Sequence, residues 1–254
     1  MISELLLLSG NDIPFPEAGV TIHPPTIKEI AYIGEENFFT GCELLNFSKD
    51  ILDDKDKTRL EHLTNFEVLM SIMKDTNVAL RRQTACAMLV LTLLFPTYQI
   101  SLTNENIELA VVDEKDFYVE RHYISKQNFE QFKNILKEIF CLKKGASAEY
   151  NPGGDLAKKI ADKLKERQRK LAKQKGENSG KIAIFSRYIS ILTVGEQKDM
   201  NDLLQYTVYQ LFDEYQRYEL KMQADIYLKA KLAGAKDLKE VEDWMKDIHS
   251  ESNK

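Results

Sequence analysis

A chain of 254 residues is long enough to bury a substantial hydrophobic core. Apolar residues make up 43% of it and charged residues 30%, with only 11 Gly and 6 Pro, so the composition favours a globular, helix-rich protein and excludes wholesale disorder. The formal net charge of -5 argues against a general affinity for nucleic acid, because phosphate binding needs an excess of Lys and Arg.

The first 25 residues alternate short apolar runs with turn-forming residues, such as the run 5–8 before Ser-Gly-Asn-Asp at 9–12. Gly, Asn, Asp and Pro interrupt this pattern every few residues, so we predict an extended arm or short strands. Thr26 then offers a helix N-cap with Glu29 at the capping-box position, which predicts a helix from Ile27.

Three helices are predicted next, over residues 37–52, 65–73 and 83–95. The third is apolar on nearly every side, which is typical of a helix at the centre of a core. Its apolar run, 85–95, is roughly half the length of a membrane-spanning helix, so we expect no membrane association. Residues 98–123 contain period-two alternation and predict a small β meander.

A further helix is expected after Ser125, because apolar residues recur there every three or four positions. A stretch rich in Gly follows at 145–154 and is the best candidate for a domain boundary. The apolar face of the helix after Ser125 consists of Phe129, Phe132, Leu136 and Ile139.

Residues 155–175 form a basic segment, with nine Lys or Arg, three acidic residues and a net charge of about +6. A helix here would be polar on almost every side, so we expect it to lie in solvent or against an acidic partner surface. Clustered positive charge is also typical of nucleic-acid binding, but the segment lacks interleaved aromatic residues and a groove-reading motif, so that role is less favoured. The candidate basic surface consists of Lys163, Lys165, Arg167 and Arg169.

The C-terminal part predicts an apolar helix over residues 182–194 and one long helix from Asn201 to Gly234. Apolar residues recur along the long helix at the spacing that packs one helix against another. We interpret this stripe as a candidate partner-binding face, although packing within the molecule is the more common role for most such residues. The stripe consists of Leu204, Val208, Leu211, Tyr215, Tyr218, Met222 and Ile226.

Together these patterns predict a mainly α, multi-helix protein with a short N-terminal extended arm and a small β meander near residues 98–123. We expect a mainly helical N-terminal domain over residues 1–144. A loop and basic linker helix would follow over 145–180, and a C-terminal helical domain over 181–254.

No pattern in the sequence points to catalysis. The three cysteines and four histidines occur at no metal-ligand spacing. Residues 176–181 depart from a phosphate-binding loop, since three residues instead of four separate the glycines, and Ile182 stands where Ser or Thr would bind magnesium. We therefore expect no enzyme activity, no metal and no cofactor.

Two regions carry a family resemblance. Residues 24–34 read Pro-Pro-Thr-Ile-Lys-Glu-Ile-Ala-Tyr-Ile-Gly, and residues 203–218 read Leu-Leu-Gln-Tyr-Thr-Val-Tyr-Gln-Leu-Phe-Asp-Glu-Tyr-Gln-Arg-Tyr. The second region continues with Ala-Lys-Leu-Ala-Gly-Ala at 230–235 and Glu-Asp-Trp-Met at 242–245. The chain thereby resembles the tail assembly chaperones of tailed bacteriophages and related phage-tail-like particles.

The resemblance implies a non-enzymatic protein of the host cytoplasm that binds the tape measure protein, promotes assembly of the tail tube and is absent from the finished virion. It also implies several copies on each client, or a homo-oligomer, and contact with the tail tube protein. Two alternatives remain open. One is a structural virion subunit such as a head-tail connector, and the other is a nucleic-acid-binding regulator that acts through residues 155–175.

Overall fold

The computed structural model describes residues 2–49, 58–112, 119–142 and 183–234, together with Met245. The helices are α1 (Glu4–Ser9), α2 (Ile27–Ile33), α3 (Glu35–Leu45), α4 (Asn65–Lys74), α5 (Val78–Leu94), α6 (Phe129–Ile139), α7 (Ile184–Gly195), α8 (Met200–Leu204) and α9 (Val208–Leu232). The strands are β1 (Ile13–Phe15), β2 (Val20–Ile22), β3 (Gln99–Leu102), β4 (Ile107–Val112) and β5 (Val119–Ile124). The prediction of a mainly α protein with small β elements is confirmed.

The N-terminal arm is a short helix followed by a hairpin. Strands β1 and β2 pair antiparallel with Ile13 opposite Ile22, and their alternate residues are buried. The apolar run at 5–8, for which we expected extended structure, lies within α1. That expectation was wrong because so short an apolar run has no periodicity that separates a strand from a helix.

Helices α3 and α5 form the centre of the core. Gly41 lets them approach closely, since a Cβ atom at this position would lie 2.5 Å from the carbonyl oxygen of Cys86. The buried side chains of α5 include Val90, Leu91 and Leu94, as expected for a helix that is apolar on most sides. We predicted that this first helix of the pair would continue to residue 52. Helix α3 instead ends at Leu45, and residues 50–52 lie outside the described range.

The predicted β meander is present as an antiparallel sheet with the order β3-β4-β5. One face of it packs into the core through Ile107, Leu109 and Ile124, which are fully buried. Helix α6 lies beside it, and its Phe132 ring lies 6.0 Å from the ring of Phe15 in the hairpin.

The C-terminal helices are tied to the N-terminal core by backbone contacts and by aromatic packing. The backbone N–H of Ile27 donates to the carbonyl of Tyr206 at 2.8 Å, and Thr26 forms an isolated antiparallel bridge with Thr207. The ring of Phe185 in α7 stacks on Phe39 of α3 with 5.2 Å between centroids. In the described parts of the chain, no helix has the length and apolar character that a membrane span requires.

The prediction of one continuous helix from Asn201 to Gly234 was wrong at its N-terminal end. Helix α8 ends at Leu204, and α9 starts only after Thr207, whose hydroxyl accepts a hydrogen bond from the backbone N–H of Gln210. Tertiary pairing breaks the helix here, because the Tyr206 carbonyl accepts from α2 instead of continuing a helical ladder.

Candidate protein-docking surface

The first half of α9 is packed within the molecule. Val208 and Leu211 are fully buried, and Leu204, in α8, is half-buried. The ring of Tyr215 stacks on Tyr188 of α7 with 3.8 Å between centroids and nearly parallel planes. Four of the seven predicted stripe residues therefore act mainly in intramolecular packing, which is the usual role of such a stripe.

Tyr218 of α9 lies against Gly195 at the end of α7. A Cβ atom at Gly195, the last residue of α7, would lie 2.1 Å from the Tyr218 hydroxyl oxygen, so only glycine leaves room for this ring in its present position. Two ion pairs fix the same region, one between Lys198 and Glu214 at 2.9 Å and one between Lys221 and Glu196 at 3.0 Å. Partial burial lowers the pKa of Lys198, but its hydrogen bonds to Glu214 and Tyr206 outweigh this effect, so that pKa is raised.

The second half of α9, residues 222–232, extends beyond these contacts with exposed apolar side chains. Met222 is 41% exposed and Ile226 is 60% exposed, so the predicted stripe continues onto the surface. Leu228 and Leu232 are also exposed, at 54% and 88%. We call residues 222–232 the outer segment of α9. Exposed large apolar side chains grouped on one element are typical of a protein interaction surface.

A groove of about 440 Å³ lies between the end of α7 and the start of the outer segment. It brings the last three predicted stripe residues and Tyr215 together with one residue of α7 that sequence reasoning did not single out, Ile191. The groove is lined by Ile191, Tyr215, Tyr218, Glu219, Met222, Gln223 and Ile226. Only the tertiary packing of α7 on α9 shows that Ile191 belongs to this surface, because apolar residues are dense along 182–194 and do not mark out one face.

Among the described residues that line the groove, Glu219 is the only ionisable side chain other than tyrosine, so it sets the electrostatics of this surface. Burial raises the pKa of the adjacent Tyr188, and the neighbouring Tyr215 hydroxyl and Glu219 carboxylate raise it further. The groove is therefore apolar with one negative charge, a combination that suits an amphipathic helix carrying a Lys or Arg beside its apolar face.

A second, larger groove of about 590 Å³ lies between α4 and the turn joining β3 to β4. Its charges are balanced, because it is lined by two acidic residues, Glu67 and Glu105, and two basic residues, Lys74 and Lys126.

Within the described residues no group of three or more His, Cys, Asp or Glu side chains is placed to hold a metal ion. The predicted basic surface at Lys163, Lys165, Arg167 and Arg169 lies outside the described residues.

The model of one protein family, described as the YomV second domain, matches residues 173–249. The C-terminal part of this chain is thus similar to a phage-derived family from a Bacillus prophage. The matched range contains α7, α8 and α9, and with them the whole groove and the outer segment. No curated protein and no solved structure matches the chain.

Proposed function

We propose that this chain is a non-enzymatic phage tail assembly chaperone that binds the tape measure protein through the groove between α7 and α9. The observation that carries the proposal is the continuation of the α9 stripe beyond Tyr218, where Met222 and Ile226 are exposed. The family match supports a phage origin for the part of the chain that contains this surface.

The groove meets the physical requirements of such a chaperone. A tape measure protein is a long helical client whose apolar side chains must be covered until the tail tube encloses them. A short apolar groove can receive one stretch of amphipathic helix with modest affinity. Many copies along one client would then give stable coverage overall, while each copy remains easy to displace during assembly.

The client segment that fits best is a helix with apolar residues at helical spacing and a basic residue that can approach Glu219. Opposite charge at the rim improves the association rate and fixes the register of the helix. The client does not need to be acidic, because the described residues that line the groove include no basic side chain.

The test is co-expression with the tape measure protein encoded in the same genome, followed by affinity purification of the complex and measurement of soluble client. We expect Ile226→Asp to reduce recovery of the client at least about tenfold, since a buried unpaired carboxylate costs more than 1.4 kcal/mol at an apolar interface. Lys231→Gln is the matched control, because it lowers the charge by the same unit on a different face of α9.

Two results would reject this function. One is a wild-type chain that neither binds the tape measure protein nor increases its solubility. The other is mass spectrometry of purified particles that finds the chain at stoichiometric copy number, which would identify a structural subunit of the virion instead.

A further inference from the structure

The outer segment of α9 carries a second face that shares only Met222 and Ile226 with the lining of the groove. Four of its residues lie along one line of the helix, because they follow one another at intervals of three, four and three positions. They are Met222, Asp225, Lys229 and Leu232. All four are exposed, and two further exposed apolar residues, Ile226 and Leu228, flank the line on either side. Asp225 acts electrostatically on Lys221 one turn earlier, but no close ion pair engages Asp225 or Lys229 within the described parts of the chain.

We propose that this face binds the same face of a second copy of the chain, with the two outer segments antiparallel. Placing the two-fold axis level with Tyr227 sets Met222 of each copy opposite Leu232 of the other. The same register sets Asp225 opposite Lys229, twice, so that apolar residues meet apolar residues and each charge meets its opposite.

The charge pattern selects this arrangement over the parallel one. In parallel register each Asp225 would face the other Asp225 and each Lys229 the other Lys229, and like charges in a helix seam disfavour pairing. In the antiparallel pair, residues on the same flank meet, so Ile226 faces Ile226 and Leu228 faces Leu228 across the axis. These apolar contacts flank the ion pairs and reduce their exposure to water.

The interface is short, which makes it reversible. Residues 222–232 span about three helical turns, or roughly 16 Å, at 1.5 Å per residue. The proposal concerns the protein alone and needs no client. Because Met222 and Ile226 belong both to this face and to the groove, a bound client and a second copy would compete for them.

The test is sedimentation velocity of the purified full chain over a range of concentrations. We expect a concentration-dependent equilibrium between monomer and dimer. Asp225→Lys and Lys229→Asp should each raise the dissociation constant at least about tenfold, because each places two pairs of like charges in the seam. The double variant carrying both changes restores both ion pairs in the antiparallel register and should dimerise as the wild type does.

Mixing the two single variants gives a second, independent readout. One variant then presents only Lys at the two seam positions and the other only Asp, so a heterodimer should form although neither variant forms a homodimer. Lys231→Asp is the matched control, because it makes the same charge change as Lys229→Asp on the opposite side of the helix and should leave the dimer unchanged. The exposed positions leave the fold intact, which circular dichroism of each variant verifies.

The proposal is overturned by a wild-type chain that remains monomeric up to about 1 mM. It is also overturned by a dimer whose dissociation constant is the same in both single variants, since the contact would then lie elsewhere. Failure to bind a tape measure protein would reject the proposed function and leave this result unaffected.

Discussion

At the scale of single residues, His23 links three segments of the N-terminal region. Its Nδ1 atom lies 2.9 Å from an Asp12 carboxylate oxygen, and its Nε2 atom lies 3.4 Å from Glu29, whose carboxylate also accepts hydrogen bonds from the N-cap residue of α2. Partial burial lowers the pKa of His23, but the hydrogen bonds and charges of the two carboxylates outweigh it, and the pKa is raised above 6.5.

This raised pKa predicts a loss of stability with increasing pH. The folded state holds the proton more tightly than the unfolded state, so the contribution is complete below the unfolded pKa of about 6.5 and disappears as the pH rises through the folded pKa. We expect the free energy of unfolding, measured by urea titration, to fall as the pH rises above about 6.5. The His23→Gln variant should lose this part of the pH dependence.

Equal slopes in the wild type and in His23→Gln would show that other groups titrate in this range, and the role given to His23 would be wrong.

At the scale of elements, α9 shows which structural features the sequence could predict and which it could not. The stripe spacing correctly predicted a helix through Ile226 and the face that packs on α7. The sequence did not show that the Thr26 and Thr207 backbones pair, because that contact joins residues far apart in the chain. For the same reason it did not show where α7 stops covering the stripe, since periodicity identifies a face and not its neighbour.

The start of α9 gives a prediction at this scale. The Thr207 hydroxyl accepts from the N–H of Gln210 at 3.3 Å, and the Thr207 N–H donates to the Gln210 side chain at 2.8 Å, which is a capping box. The same side chain donates to the carbonyl of Leu8 at 2.7 Å and so joins α9 to α1. Thr207→Ala should lower the free energy of unfolding by about 1 kcal/mol, measured in urea.

Thr207→Ser serves as the matched control for the cap, because it keeps the hydroxyl that accepts the hydrogen bond and removes only a methyl group. We expect most of the stability to be retained in it. If Thr207→Ser and Thr207→Ala lower the free energy of unfolding equally, the lost methyl packing at this buried position explains the effect, and the cap contributes little.

At the scale of the whole molecule, one carboxylate connects the N-terminal core to the C-terminal helices. A single Glu35 oxygen accepts hydrogen bonds from the backbone N–H groups of Ile184 and Phe185, the latter at 3.0 Å, although these residues are about 150 positions apart. The N-terminal N–H groups of α7 have no partners within the helix, so Glu35 satisfies them and also places a negative charge at the positive end of the helix.

Glu35 should therefore stabilise the docking of α7, and with it one wall of the groove. We expect Glu35→Ala to accelerate hydrogen exchange in α7, with a loss of about 1–3 kcal/mol in local opening free energy, because two backbone donors lose a charged acceptor. Glu35→Gln keeps an acceptor oxygen without the charge and should lie between Ala and the wild type. Exchange in α4 should be unchanged if α7 opens locally, because the Glu35 hydrogen bonds go to the backbone of α7. Faster exchange throughout the chain would instead mean that α7 and the core unfold as one unit, and client binding would then report global stability and not the shape of the groove.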